Sequence, residues 1–176
     1  MSIDPNLQRS LESLKLAYRP VAIAFLDDPP AGLARIGQAL PAGCGYWKHA
    51  SEGHAFYTTA DDHGNCPVGA FTHGVTLPPA KAKELESLVG TMVELHYIKA
   101  DEVPAIPHRT TPAQVIAYAP LSDTGFDADV VIVRGNTRQI MLLSEAARAA
   151  GLFEDGTAIG RPACSVIPQT MSTGVG

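Results

Sequence analysis

The chain is poor in charge. Only 18% of its 176 residues are Asp, Glu, Lys or Arg, and the 13 basic residues form no cluster. Nucleic acid and anionic membrane surfaces select for grouped Lys and Arg, so neither is an expected partner. Long apolar runs are missing too. None approaches the about 20 consecutive apolar residues that cross a bilayer. The first residues (Met1 to Leu16) mix charges of both signs and contain no apolar core of a secretory signal, so the expected location is the cytoplasm. Familiar catalytic patterns are also absent. There is no G-x-S-x-G elbow, no phosphate-binding Walker loop, no H-E-x-x-H, and no G-x-G-x-x-G following a strand. Asp27-Asp28 and Asp61-Asp62 are acidic pairs, but both fall among turn residues and read as solvated acids.

What the sequence does hold is a core. Hydrophobic residues make up 45% of the chain. A folded chain of this mass buries about two-thirds of its extended surface, enough for one domain without disulfide staples. The expected domain is residues 1–176. The 16 glycines and 14 prolines are dispersed, which cuts the chain into short elements. Leu7, Leu11 and Leu14 recur at helical spacing and predict a helix over 5–17, stopped by Arg19-Pro20. Val21 to Leu26 is an apolar run of strand length. Residues 31–40 read as a short helix, and Pro41 to Gly45 as a turn followed by a helix from Tyr46. His54 to Thr59 reads as a strand leading into a hairpin-like turn at 61–65. A short helix opens near Pro67, and a longer one covers 80–90. Met92 to Ile98 reads as a strand or a continuation of that helix. Val115 to Ala119 and Val130 to Val133 are strands. The second leads through Gly135-Asn136 into a helix over 137–150, with Ile140, Met141, Leu143, Ala147 and Ala150 inward. Such interleaving predicts an α+β or mixed α/β fold, a single domain with a mixed sheet and flanking helices.

The chemistry centres on three cysteines, Cys44, Cys66 and Cys164. An odd count in a reducing compartment argues against structural disulfides. Cys44 lies between Gly43 and Gly45, Cys66 follows Gly64-Asn65 and precedes Pro67, and Cys164 follows Gly160-Arg161-Pro162. Each sits in a loop or at an element start. There, backbone N–H groups favour the thiolate, the form that binds metal or attacks an electrophile. Three readings stand. The thiols are buried and inert, or they are metal or iron–sulfur ligands, or one is a redox-active or nucleophilic thiol. As ligands, three cysteines hold three corners of a four-iron cluster, the [4Fe-4S] form. His63 or His73 is then the candidate fourth ligand, and Gly45, Pro67 and Arg161 are candidate cofactor-binding positions. His49 and His54 are further candidates near Cys44. The thiol-enzyme alternative uses Cys66 or Cys164, with Arg161 stabilising the Cys164 thiolate. Cys66-Pro67 also matches a dipeptide found where a thiolate ligates haem, so haem or no cofactor at all are the alternatives to the cluster.

Several segments together resemble a known family. Arg19-Pro20-Val21-Ala22-Ile23-Ala24-Phe25 is similar to its opening strand. Cys44, then Cys66 with Gly69-Ala70, resembles its first two cysteine positions. Val130 to Val133, with Asn136, Gln139, Met141 and Leu142, resembles its strand-to-helix signature. Gly160-Arg161-Pro162-Ala163-Cys164 resembles its third cysteine motif. The family is the uncharacterised prokaryotic domain-of-unknown-function family 169. The resemblance runs from about residue 8 to residue 174 and implies cytoplasmic proteins whose cysteines suit a metal or cluster. It carries no established activity. Many relatives continue past the third cysteine, so this chain is read as a short member or as truncated at its C-terminus.

The expected function is a cytoplasmic iron–sulfur or metal-binding protein with a redox or open-site ligand-binding role. Its partners would be a redox protein or a small-molecule ligand. The low charge also admits a non-catalytic ligand-binding module or a homo-oligomer.

Overall fold

The computed structural model describes residues 5–151 and 163–173. Its frame is a four-stranded sheet. β1 (Val21–Leu26), β2 (Phe56–Thr58), β3 (Val115–Pro120) and β4 (Val130–Ile132) stand in the order β2-β3-β1-β4. All three pairings are antiparallel, so of the two predicted classes the fold is α+β.

The register of β1 against β3 divides the two faces by size. Ala22 pairs with Ala119 and Ala24 with Ala117 on one face, while Ile23 pairs with Tyr118 and Phe25 with Ile116 on the other. Alternation along a strand makes this division. The alanine face is fully buried beneath Leu121 and Phe126, with Leu11, Leu33 and Tyr57 packed at its margin. The large-residue face carries the main core. Tyr46, Trp47 and Ala50 of α2 (Gly43–Ser51), Ala70 of α3 (Pro67–Thr72) and Ile167 of α6 (Val166–Thr173) pack on Val21, Ile23, Ile116 and Tyr118. Three helices are thus drawn onto one face of one sheet.

The remaining helices lie outside this core. α1 (Pro5–Ser13) ends short of its predicted bound, and Lys15 beyond it takes a positive φ of 49°. α4 (Pro79–Glu94) runs through the start of the segment read as a strand, because Leu85, Val89 and Met92 continue one helical stripe. α5 (Thr137–Ala149) opens with a reciprocal cap between Asn136 and Gln139. Its predicted inner face is not buried. Ile140, Met141 and Ala150 are exposed, and only Leu143 and Ala147 are half-buried. The helix is tied down at its start instead, where Gln139 Nε2 donates to the carbonyls of Leu14 and Lys15 at 2.9 and 3.1 Å.

Two further expectations fail. Residues 31–40 form no helix, since Gly32 and Gly37 both take positive φ (78° and 66°) and break any helical run. The 61–65 segment is not a hairpin. It is a 3-10 turn over Ala60–His63, and β2 pairs with the distant β3.

The alanine ladder leaves no space on its face. Ala117→Leu is expected to lower the unfolding free energy by about 1–3 kcal/mol through overpacking, read as a lower urea midpoint.

Candidate functional site

All three cysteines lie at helix starts. α2 begins earlier than the sequence suggests, so Cys44 sits in its first turn rather than in a preceding loop. Cys66 is the N-cap of α3, and Pro67 holds the first helical position, where its missing N–H costs nothing. Cys164 lies in a 3-10 turn, Ala163–Ser165, that runs directly into α6. The sulfurs grade from surface to core. Cys44 is exposed, Cys66 is half-buried, and Cys164 is 9% exposed.

Glycine brings the first two helices together. A Cβ added at Gly43 would meet the Gly69 Cα at 3.5 Å and the Cys66 sulfur at 4.0 Å. One added at Gly69 would meet that sulfur at 3.0 Å. The starts of α2 and α3 therefore touch backbone to backbone, with the Cys66 thiol in the contact. Gly45, the predicted cofactor-binding glycine, turns instead toward Leu40 at 3.5 Å. Arg161 lies outside the described residues.

α3 also reaches the third thiol. Thr72 Oγ1 lies 3.2 Å from Cys164 Sγ and 3.0 Å from the Gly69 carbonyl oxygen. A hydroxyl has one proton to give. It donates to Gly69 when the thiol is protonated, and it can turn to the sulfur when that sulfur carries charge. Burial pushes the Cys164 thiol up, the Thr72 hydrogen bond pulls it down, and the negative charge of Cys66 and of Cys44 pushes it up further. The same upward push runs against Cys164 as a free nucleophile.

The turn before Cys66 is fixed by an acid that the sequence suggests is solvated. Asp62 is 3% exposed. Its carboxylate takes a forked ion pair from Arg35, Nε at 3.0 Å and Nη2 at 3.2 Å, and accepts the Thr59 backbone N–H at 2.8 Å. Tyr46 of α2 donates its hydroxyl to the Asp62 carbonyl. Asp61 beside it stays open to solvent, as expected. His63 is likewise not a solvated turn residue. It is buried, with Nε2 3.0 Å from Thr58 Oγ1.

His73 is the deeper histidine. It is 0% exposed, and neither ring nitrogen has a hydrogen-bond partner among the described residues. Phe25, Trp47 and His63 surround its ring at centroid distances of 5.8, 6.3 and 6.5 Å. Burial above all, then the charges of His63 and Arg109, hold its pKa down at about 3; burial holds that of His63 at about 4. His49 and His54 stack on each other at 4.0 Å, and His49 packs on Phe56. Among the described residues, no three His, Cys, Asp or Glu side chains stand close enough to enclose a single metal ion.

A family model described as DUF169, uncharacterised ArCR, matches residues 11–174. The chain belongs to this family. No curated protein and no solved structure matches it. The match to DUF169 spans all three cysteines, the Gly43–Gly69 contact and the Asp62 turn, so the site lies wholly within the family domain. No helix among the described residues is long and apolar enough to cross a membrane.

Thr72, Asp62 and Arg35 escape a reading of motifs. Thr72 follows Cys66 by six residues in a short helix, a spacing with no signature. Gly69 was marked only as part of the Gly69-Ala70 step beside Cys66, and its contact with Gly43 has no trace in the sequence.

Two outcomes test this geometry. A mid-helix Gly→Ala change ordinarily stabilises by about 0.5–1 kcal/mol. Gly69→Ala is expected to reverse that sign, lowering the melting temperature and changing the alkylation rate of Cys66. Unfolding would return His63 and His73 to ordinary values near 6.5. Because their folded pKa values are lowered, the stability they contribute is complete above that value and is lost as pH falls below it. Between pH 7 and pH 5 each should cost about 2 kcal/mol, seen as a lower urea midpoint at pH 5.

Proposed function

We propose that the protein binds an iron–sulfur cluster through Cys44, Cys66 and Cys164, leaving one iron position for a small ligand or a redox partner. The observation that supports this reading is that each thiol is carried at the start of a different helix, and that the helix capped by Cys66 touches Cys164 through Thr72. A buried 3-10 turn, a half-buried cap and an exposed first turn would hold the cluster on three sides and leave its outer side open to solvent.

The residues around the thiols fit such a group. Gly43 and Gly69 expose backbone where side chains would otherwise crowd the Cys66 sulfur. Thr72 can donate a hydrogen bond to the Cys164 sulfur, which stabilises the thiolate and raises the reduction potential of what it ligates. Of the two candidate fourth ligands, His73 has both ring nitrogens unpartnered among the described residues, and His63 has its Nδ1, its Nε2 being engaged by Thr58. When bound, the cluster would supply one-electron transfer or an electrophilic iron.

Anaerobic reconstitution with iron and sulfide, followed by visible absorption and iron and sulfide analysis, tests the proposal. A brown protein with about four irons per chain is expected. Cys66→Ser and Cys164→Ser should each lose most of the colour. A folded, colourless and iron-free product would end this reading.

A further inference from the structure

A second site lies on the other side of α3. Phe71 lies on the side of that helix opposite Gly69, and it lines this site together with Val68. They line a pocket of about 920 Å³ together with Leu85, Val89 and Met92 of α4 and the 97–107 segment. That size falls within the about 300–1,000 Å³ typical of small-molecule sites. α4 is 16 residues long, yet none of its side chains is buried. Its half-buried Leu85, Val89 and Met92 all line this pocket. A helix whose only apolar face lines a cavity gains its burial when that cavity is filled.

Charge narrows the occupant. The lining includes Glu86 and Glu102 and neither Lys nor Arg. Both carboxylates are exposed, which places them at the mouth. Glu102 Oε2 accepts the Lys99 backbone N–H at 2.8 Å, so its position is held. A fatty carboxylate would set a negative head among these acids with no cation in the lining to pair with. An amine or an uncharged polar head meets no such repulsion, and an ammonium is attracted.

We propose that the pocket between α3, α4 and residues 97–107 binds an apolar small molecule with a cationic or uncharged head, and discriminates against anionic lipids. The site is separate from the thiols, and its occupation does not depend on a cluster.

The test is fluorescence titration with the neutral apolar dye N-phenyl-1-naphthylamine, followed by displacement with decylamine, decanol and decanoate at pH 8, where imidazoles are uncharged. Saturable binding is expected. Decanoate should displace the dye about tenfold less well than decylamine or decanol. Val89→Trp should abolish binding with an unchanged circular dichroism spectrum. The double variant E86Q/E102Q changes only exposed side chains, and it should bind the dye normally while losing most of the preference over decanoate. Dye that fails to saturate, or decanoate that competes as well as the amine, would overturn the proposal. So would a folded Val89→Trp that still binds. Colour and iron content report on the thiol site alone, so the two sites fail or stand separately.

Discussion

The contact between Gly43 and Gly69 governs the geometry around it. Two helix starts can touch through their backbones only where neither residue carries a side chain, and here a single methyl group would press on the Cys66 sulfur. Helix starts carry unpaired N–H groups and positive partial charge. Two such starts stand side by side here, and a third, at Cys164, is joined to them through Thr72. The sheet makes this possible. Its large-residue face pulls α2, α3 and α6 onto one core, and its alanine face lets loops close over the back.

Holding this arrangement has a cost that is visible in the interior. A fully buried imidazole with no partner loses hydration and gains no hydrogen bond in return. Among the described residues His73 is such a group, and His63 is half way there. The neighbouring turn offsets part of that cost through the Arg35–Asp62 ion pair and the Tyr46 hydroxyl. These contacts join the 31–40 segment, α2 and the turn before Cys66, which is why an acid from a turn-like sequence is buried.

α3 is the element that joins the two candidate sites. At six residues it is too short to be stable alone, and its tertiary contacts decide it. One side carries Gly69 and Thr72 toward the thiols. Phe71, opposite Gly69, lines the apolar pocket together with Val68. A ligand pressing on one side and a cluster pulling on the other would meet in the same backbone.

Local pattern determined much of this protein by itself. The strand over Val21–Leu26, the short helix after Pro67 and the helix after Gly135-Asn136 were all legible, because runs of one polarity, prolines and turn residues act over a few positions. Their alternation narrowed the class to α+β or mixed α/β, and the antiparallel pairings decided for α+β. Tertiary structure alone decided the rest. Gly32 and Gly37 broke a plausible helix, and Ile140 and Met141 stayed exposed on a helix whose period pointed them inward. Asp62 was buried because Arg35 came to meet it. Most of all, only folding brought Thr72 to Cys164, 92 positions apart in the chain, since contacts between distant segments leave no periodic trace in either one.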